Sequence, residues 1–217
     1  MHIKETDTLL FVGDSITDAG RDRGDFASLG DGYVNEIART LRARAGDGPV
    51  PAVINRGVSG NRVYDLEARW TTDVIEHRPT VVTVKIGIND TWRLYDSRLA
   101  SPVDEFEACL DRLLANTVRE LSAQLVVITP FLLPVTPEQE SWFEDLTPRI
   151  DAVLRAAAAN GAQVVRADLA MRRAAETREA AELARDGVHP SPLGHRIVAE
   201  AWLAAVDSVA VAPDPQR

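Results

Sequence analysis

At 217 residues and 45% hydrophobic composition, the chain can bury one sizeable core, and a single compact domain is the expectation. Its formal net charge of -9 sets most of the surface against a phosphate backbone or an anionic membrane, which argues against nucleic acid and membrane as partners. The lone cysteine, Cys109, excludes an intramolecular disulfide. Its place in the helical pattern Phe106, Cys109, Leu110, Leu113, Leu114 marks it as a packing thiol.

The amino-terminal residues 1–7 lack the long apolar run and small-residue cleavage site of a secretory signal, so a cytoplasmic location is expected. No apolar stretch approaches the length of about eighteen residues that a spanning helix requires. The first strand is expected at 8–12, followed by a helix over 32–44, a strand at 50–54, a helix over 64–76 and a strand at 80–86. A helix over 103–121, a strand at 125–129, a long loop over 132–140 and a helix over 142–159 come next, the loop placed where it can wall a site. A weaker strand at 163–165 and a helix over 193–209 complete the pattern, with 213–217 read as a frayed tail. Strand and helix alternate, and the strands are apolar throughout. That combination predicts an α/β fold with a five-stranded parallel sheet covered on both faces. In such a sheet, functional groups gather beyond the carboxyl ends of the strands.

The chemistry-bearing residues fall at those ends. Ser15 leaves the first strand in Gly13-Asp14-Ser15-Ile16-Thr17, placed to attack an electrophile; the same residues would also serve a helix cap formed by Ser15 or Asp14. Asp186 and His189 lie three residues apart just before the last helix. A serine hydroxyl needs a base to remove its proton, an imidazole can take and return it near neutrality, and a carboxylate at Nδ1 sets the ring's tautomer. An Asp-Gly turn beside a packed histidine would leave the same trace. After the second strand Gly60 can offer an unobstructed N–H, and after the third Asn89 can offer its amide to a developing oxyanion, with the Ser15 N–H as a third donor. Each of these residues also suits an ordinary turn, but all of them falling at strand ends or at the last helix entry favours function.

The blocks GDSIT, NRGVSGN, GIND and DGVHP, in that order and over nearly the whole chain, resemble the SGNH hydrolases, the GDSL lipase/esterase superfamily. The resemblance implies a flavodoxin-like three-layer α/β/α sandwich. It also implies Ser15, Asp186 and His189 as a catalytic triad, with Ser15, Gly60 and Asn89 as the oxyanion hole. The longer stretches GDSITDAGR, GYVNEI and KIGINDTWRLYD are similar to bacterial acetylxylan and related carbohydrate esterases, which implies an acylated sugar as substrate. The aromatic faces of Trp92 and Tyr95, with the polar groups Asp14, Asp18 and Arg21, suit the apolar faces and hydroxyls of such a sugar, although aromatic residues at that spacing also serve as core or subunit contacts.

No phosphate-binding or dinucleotide fingerprint is present, and His189 with His195 lacks the carboxylate pattern of a zinc site, so no cofactor and no metal are expected. His195 reads as a packed helix residue. A homo-oligomer is expected from the resemblance, with Leu132, Leu133, Trp142 and Phe143 as an exposed apolar contact. Two alternatives stay open: a short-chain esterase, thioesterase or lysophospholipase acting on a non-sugar alcohol, and a catalytically silent carbohydrate-binding module on the same fold.

Overall fold

The first strand is apolar on both of its faces, and the structure accounts for that by placing it inside a sheet with a helical layer on each side. The structure is a computed structural model and describes residues 1 and 3–207. The strands are β1 (Thr8–Gly13), β2 (Ala52–Gly57), β3 (Val81–Lys85), β4 (Gln124–Ile128) and β5 (Gln163–Val165). They pair in parallel in the order β2-β1-β3-β4-β5, the flavodoxin-like order expected. Interleaved are α1 (Ser15–Asp18), α2 (Tyr33–Ala45), α3 (Val63–Asp73), α4 (Ile88–Ser97) and α5 (Val103–Leu121). They are followed by α6 (Pro137–Glu140), α7 (Phe143–Ala159), α8 (Ala167–Ala175), α9 (Ala180–Leu183) and α10 (Pro192–Asp207).

Side chains alternate across the sheet and feed two cores. Leu9 and Phe11 of β1 join Val126 and Ile128 of β4 under α2 and α10, while Leu10 and Val12 join Val82, Val84, Leu125 and Val127 under α3 and α5. Burial on both faces is what made these strands read as continuous apolar runs. Cys109 is fully buried in the second core, and burial pushes its thiol up to about 12, as befits a packing residue.

Element boundaries differ from expectation where backbone chemistry overrides apolar pattern. The second strand starts at Ala52 instead of 50, because Pro51 has no N–H to donate to the ladder. It runs on through Asn55, Arg56 and Gly57, which pair with Phe11, Val12 and Gly13. The helix expected over 64–76 stops at Asp73 and gives way to a tighter turn at Ile75–His77. The loop over 132–140 contains α6, opened by Pro137. Residues 208–209 of the last expected helix and the tail 213–217 lie outside the described residues.

The expected apolar contact surface needs correcting. Leu132, Leu133 and Trp142 are 5%, 5% and 8% exposed and sit in the core with Leu146 and Ile150, and Phe143 packs against that cluster. The loop that carries Leu132 and Leu133 folds inward, so these residues offer no face to a second subunit. Among the described residues no helix is long and apolar enough to cross a membrane.

The last helix is fixed to the first strand's layer by polar contacts set in an apolar interface. The Trp202 ring lies 5.5 Å from that of Phe11, and its Nε1 donates to Thr83 Oγ1 at 3.1 Å. The Tyr33 N–H at the start of α2 donates to His195 Nδ1 of α10 at 3.1 Å. Burial, reinforced by the charges of Lys85 and His189, depresses the His195 pKa to about 4. An unfolded histidine takes up a proton below about 6.5. The folded one does so only near 4, so stability falls as pH drops through that interval. The full effect is on the order of 3 kcal/mol. Thermal unfolding of the wild type and of His195→Asn at pH 4.5 and 7 should therefore show a smaller pH-dependent drop in the variant; equal drops would mean that this ring does not titrate with folding.

Candidate active site

β1 ends at Gly13, and α1 begins two residues later with Ser15. Asp14 caps this short helix, its Oδ1 accepting from the Ile16 N–H at 3.0 Å. The cap therefore falls to the aspartate, and the serine hydroxyl bonds elsewhere. Ser15 Oγ lies 2.8 Å from His189 Nε2, and His189 Nδ1 lies 2.6 Å from Asp186 Oδ2. An ionised carboxylate can only accept, so the ring proton belongs on Nδ1, and Nε2 is left to accept from the serine O–H.

Asp186 also shapes the backbone that carries the histidine. Its Oδ1 accepts from the Val188 and His189 N–H groups at 3.0 and 2.7 Å, an Asx turn closed by the same carboxylate that holds the ring. Partial burial alone would raise the Asp186 pKa. The hydrogen bonds from the His189 ring and from the His189 and Val188 N–H groups outweigh it and hold the carboxyl below its usual range.

The segment over 132–140 grips this turn from behind instead of forming the wall of the cleft. Gln139 Nε2 donates to the Asp186 carbonyl at 2.7 Å, and the Leu133 N–H donates to the Gly187 carbonyl at 2.9 Å. Gly187 has φ +83°, and a Cβ there would lie 2.7 Å from the Leu133 carbonyl oxygen. A solitary glutamine carries no sequence pattern, so Gln139 was invisible until the chain was folded.

Ser15 and His189 open onto a cleft of about 240 Å³ whose walls are Ser59, Gly60, Asn89, Trp92 and Arg93. Asn89 stands at the entry of α4, and its Nδ2 donates to the Asn61 carbonyl at 3.1 Å. Asn61 is held in turn by Arg69, whose Nε donates to its Oδ1 at 2.7 Å. The same guanidinium donates to the carbonyls of Gly13 and Arg56. One cation thus ties the ends of β1 and β2 to the loop that orients Asn89. Directly beneath the serine turn, Asp14 Oδ2 faces Lys85 Nζ at 3.5 Å, and neither side chain has any exposed surface. Burial pulls the Lys85 pKa down, and the Asp14 charge opposes that shift.

The structure divides the expected sugar contacts. Trp92 lines the cleft, with its ring centroid 5.7 Å from that of His189. Tyr95 instead stacks on Trp142 at 5.5 Å, and its hydroxyl donates to the Ser141 carbonyl at 2.7 Å. Asp14, Asp18 and Arg21, expected to meet the sugar, instead turn inward. Asp14 is buried on Lys85, Asp18 is 4% exposed and bonded to Ser59 and Arg23, and the Nε of Arg21 donates to the Gly57 carbonyl at 2.9 Å. They flank the serine closely in sequence, but the turn of α1 carries Asp18 and Arg21 toward the end of β2, and Asp14 faces Lys85 at the end of β3. Ser59 and Arg93, which the sequence did not single out, take part of the wall.

The model of the GDSL-like lipase/acylhydrolase family matches residues 11–197. The chain belongs to this family. It is 38% identical over 211 residues to an acetylxylan esterase of Geobacillus stearothermophilus, covering 94% of this chain and 95% of that protein. The crystal structure of that organism's Axe2, an acetylxylan esterase, superimposes with a TM-score of 0.87 at 36% identity and covers all of both chains. Solved structures of Axe2 include catalytic mutants in which a serine, an aspartate and a histidine are each replaced by alanine. A further match by fold is LAE5, an alpha/beta hydrolase from the metagenome of Lake Arreo, with a TM-score of 0.85, 34% identity, and coverage of 94% of this chain and 97% of that one.

The left-handed backbone at Gly187 and its crowding by Leu133 make this position a direct check on the loop. Gly187→Ala should lower stability by about 2 kcal/mol or more in a denaturant titration. A variant within about 0.5 kcal/mol of wild type would mean the turn can relax around a side chain.

Proposed function

We propose that this protein is a serine esterase that removes short acyl groups, acetyl above all, from carbohydrates such as xylo-oligosaccharides. The observation that carries the reading is the unbroken hydrogen-bond chain from Ser15 through His189 to Asp186, opening on a cleft beside Gly60 and Asn89. In this reading Ser15 Oγ attacks the ester carbonyl carbon while His189 Nε2 takes its proton. The carbonyl oxygen becomes an oxyanion held by the N–H groups of Ser15 and Gly60 and by the Asn89 amide. Collapse expels the sugar alkoxide, which receives the proton from His189. Water then repeats the cycle on the acyl-enzyme, and Asp186 keeps the imidazole in its working tautomer throughout.

The dimensions of the cleft support a small acyl group. About 240 Å³ lies below the usual range of about 300 to 1,000 Å³ for sites that enclose a drug-sized ligand. Three of its wall residues, Ser59, Asn89 and Arg93, are polar, which suits an acetyl group and disfavours a long alkyl chain. On the alcohol side the site is open, since the His189 and Asp186 side chains keep 45% and 44% of their surface. A sugar chain can therefore extend outward over the Trp92 face. The kinship with acetylxylan esterases supports the sugar assignment, and the Axe2 catalytic substitutions fall on the same three residue types.

Ser15→Ala should abolish both ester hydrolysis and labelling by a fluorophosphonate; persistent labelling would identify a different nucleophile. Asn89→Ala should reduce kcat by about a hundredfold to a thousandfold with little change in KM. A loss under threefold would remove Asn89 from the oxyanion hole. The substrate class is tested with acetylated xylo-oligosaccharides, acetylated monosaccharides and nitrophenyl esters of increasing chain length. Preference for long acyl chains or for non-sugar alcohols would favour the lysophospholipase or general esterase alternative, and no hydrolysis at all would favour the silent binding module.

A further inference from the structure

The sequence placed Asp18 among groups that meet a sugar, but the residue is 4% exposed and its carboxylate is bonded to the protein through Oδ2. Its Oδ2 accepts from the Ser59 N–H at 2.9 Å, from the Ser59 hydroxyl at 3.0 Å and from Arg23 Nη2 at 2.6 Å. Asp18 is the last residue of the helical turn that Ser15 begins, and Ser59 is the residue before Gly60. The geometry points to Asp18 as the positioning residue of the oxyanion hole, a clamp that fixes the Gly60 N–H relative to Ser15.

Three observations carry this. First, the contact joins the two elements whose spacing matters, because α1 holds the nucleophile and the loop after β2 holds the donor. Second, the backbones are already in touch and need only be locked. A Cβ on Gly57 would fall 2.2 Å from the Asp18 nitrogen, the Val58 N–H donates to the Gly13 carbonyl at 3.0 Å, and Asn55 Nδ2 donates to the Thr17 carbonyl at 2.7 Å. Third, a carboxylate this near a developing negative charge would oppose it unless neutralised. Arg23 and the two Ser59 donors meet that need, and although burial works the other way, their bonds hold the Asp18 pKa below the usual carboxylate range. The clamp touches neither the acyl group nor the sugar. It acts only through where the Gly60 donor stands, and a displacement of about 1 Å in such a group can cost about a hundredfold in rate.

The inference rests on the esterase reading, and its test separates the two. The wild type, Asp18→Ala and Asp18→Asn are compared on nitrophenyl acetate and on an acetylated xylo-oligosaccharide, with thermal unfolding measured in parallel. Asp18→Ala is expected to lower kcat about tenfold to a hundredfold on both substrates alike, with KM within about threefold. Asp18→Asn, whose amide oxygen can still accept from the Ser59 N–H, should recover most of that loss. Should the alanine variant fail to fold, Asp18→Ser is used in its place; it keeps a polar group but is too short to reach Ser59, and it should show the same fall in kcat. A loss confined to the sugar ester and expressed as a higher KM would instead make Asp18 a substrate contact and overturn the clamp. So would a kcat within threefold of wild type. A wild type without esterase activity would overturn the functional reading itself and the clamp with it.

Discussion

The hydrogen bond between Ser15 Oγ and His189 Nε2 joins residues 174 positions apart, and the rest of the structure can be understood as what keeps that distance at 2.8 Å. One partner is carried by the carboxyl end of β1, an interior strand paired on both sides. The other sits on the loop that leads into α10. Three contacts bring that loop home: Trp202 against Phe11 and Thr83, His195 on the first turn of α2, and Gln139 on the Asp186 carbonyl. None is strong alone, since a typical intramolecular hydrogen bond contributes only about 1 kcal/mol net. Their effect lies in geometry, because they tie α10 and the loop before it to three different parts of the fold: the sheet, α2 and α6.

The ground beneath the site is polar where a typical core is not. Asp14 and Lys85 are both without exposed surface, and the Lys85 ammonium also lies 5.5 Å from the centre of the Phe131 ring. Burying two charges together recovers part of their lost hydration, whereas removing one partner would leave the other uncompensated. A second such cluster underlies α4. There the fully buried Arg149 bonds to Asp145, Thr91 and the Ser101 carbonyl, while Asp90 accepts from Ser101 and from the Val63 N–H, and burial pushes the Asp90 pKa up to about 6. These groups fix the helix that presents Asn89 and Trp92. The strands provide stability through apolar burial, and the charged clusters fix orientation at the strand ends.

Much of this was legible from residue pattern. The five strands and their parallel arrangement followed from short apolar runs alternating with helical periodicity, and the family followed from four short blocks in a fixed order. Less visible was anything that depends on one side chain meeting one distant backbone group. Gln139 and Arg69 carry no local signature, and their positions become meaningful only when the carbonyls of residues 186 and 13 arrive beside them. The misreading of Asp14, Asp18 and Arg21 has a related origin. Nearness to Ser15 along the chain suggested nearness to the substrate, but a turn of helix carries side chains around its axis, and these point toward β2 and β3. Leu132 and Leu133 misled similarly, because apolar residues in a loop read as exposed when nothing in the sequence shows that the loop folds inward.

Placing Ser15 and His189 174 positions apart along the polypeptide has a consequence for biosynthesis. A chain emerging from the ribosome displays Ser15 early, yet the imidazole that would activate it is among the last groups to be made and must wait for α10 to dock. On the proposed reading, hydrolytic competence arrives only once the segments carrying these two residues have folded together. On that reading, a nascent chain that ends before residue 189 lacks the base and keeps its serine idle, so the topology itself delays turnover.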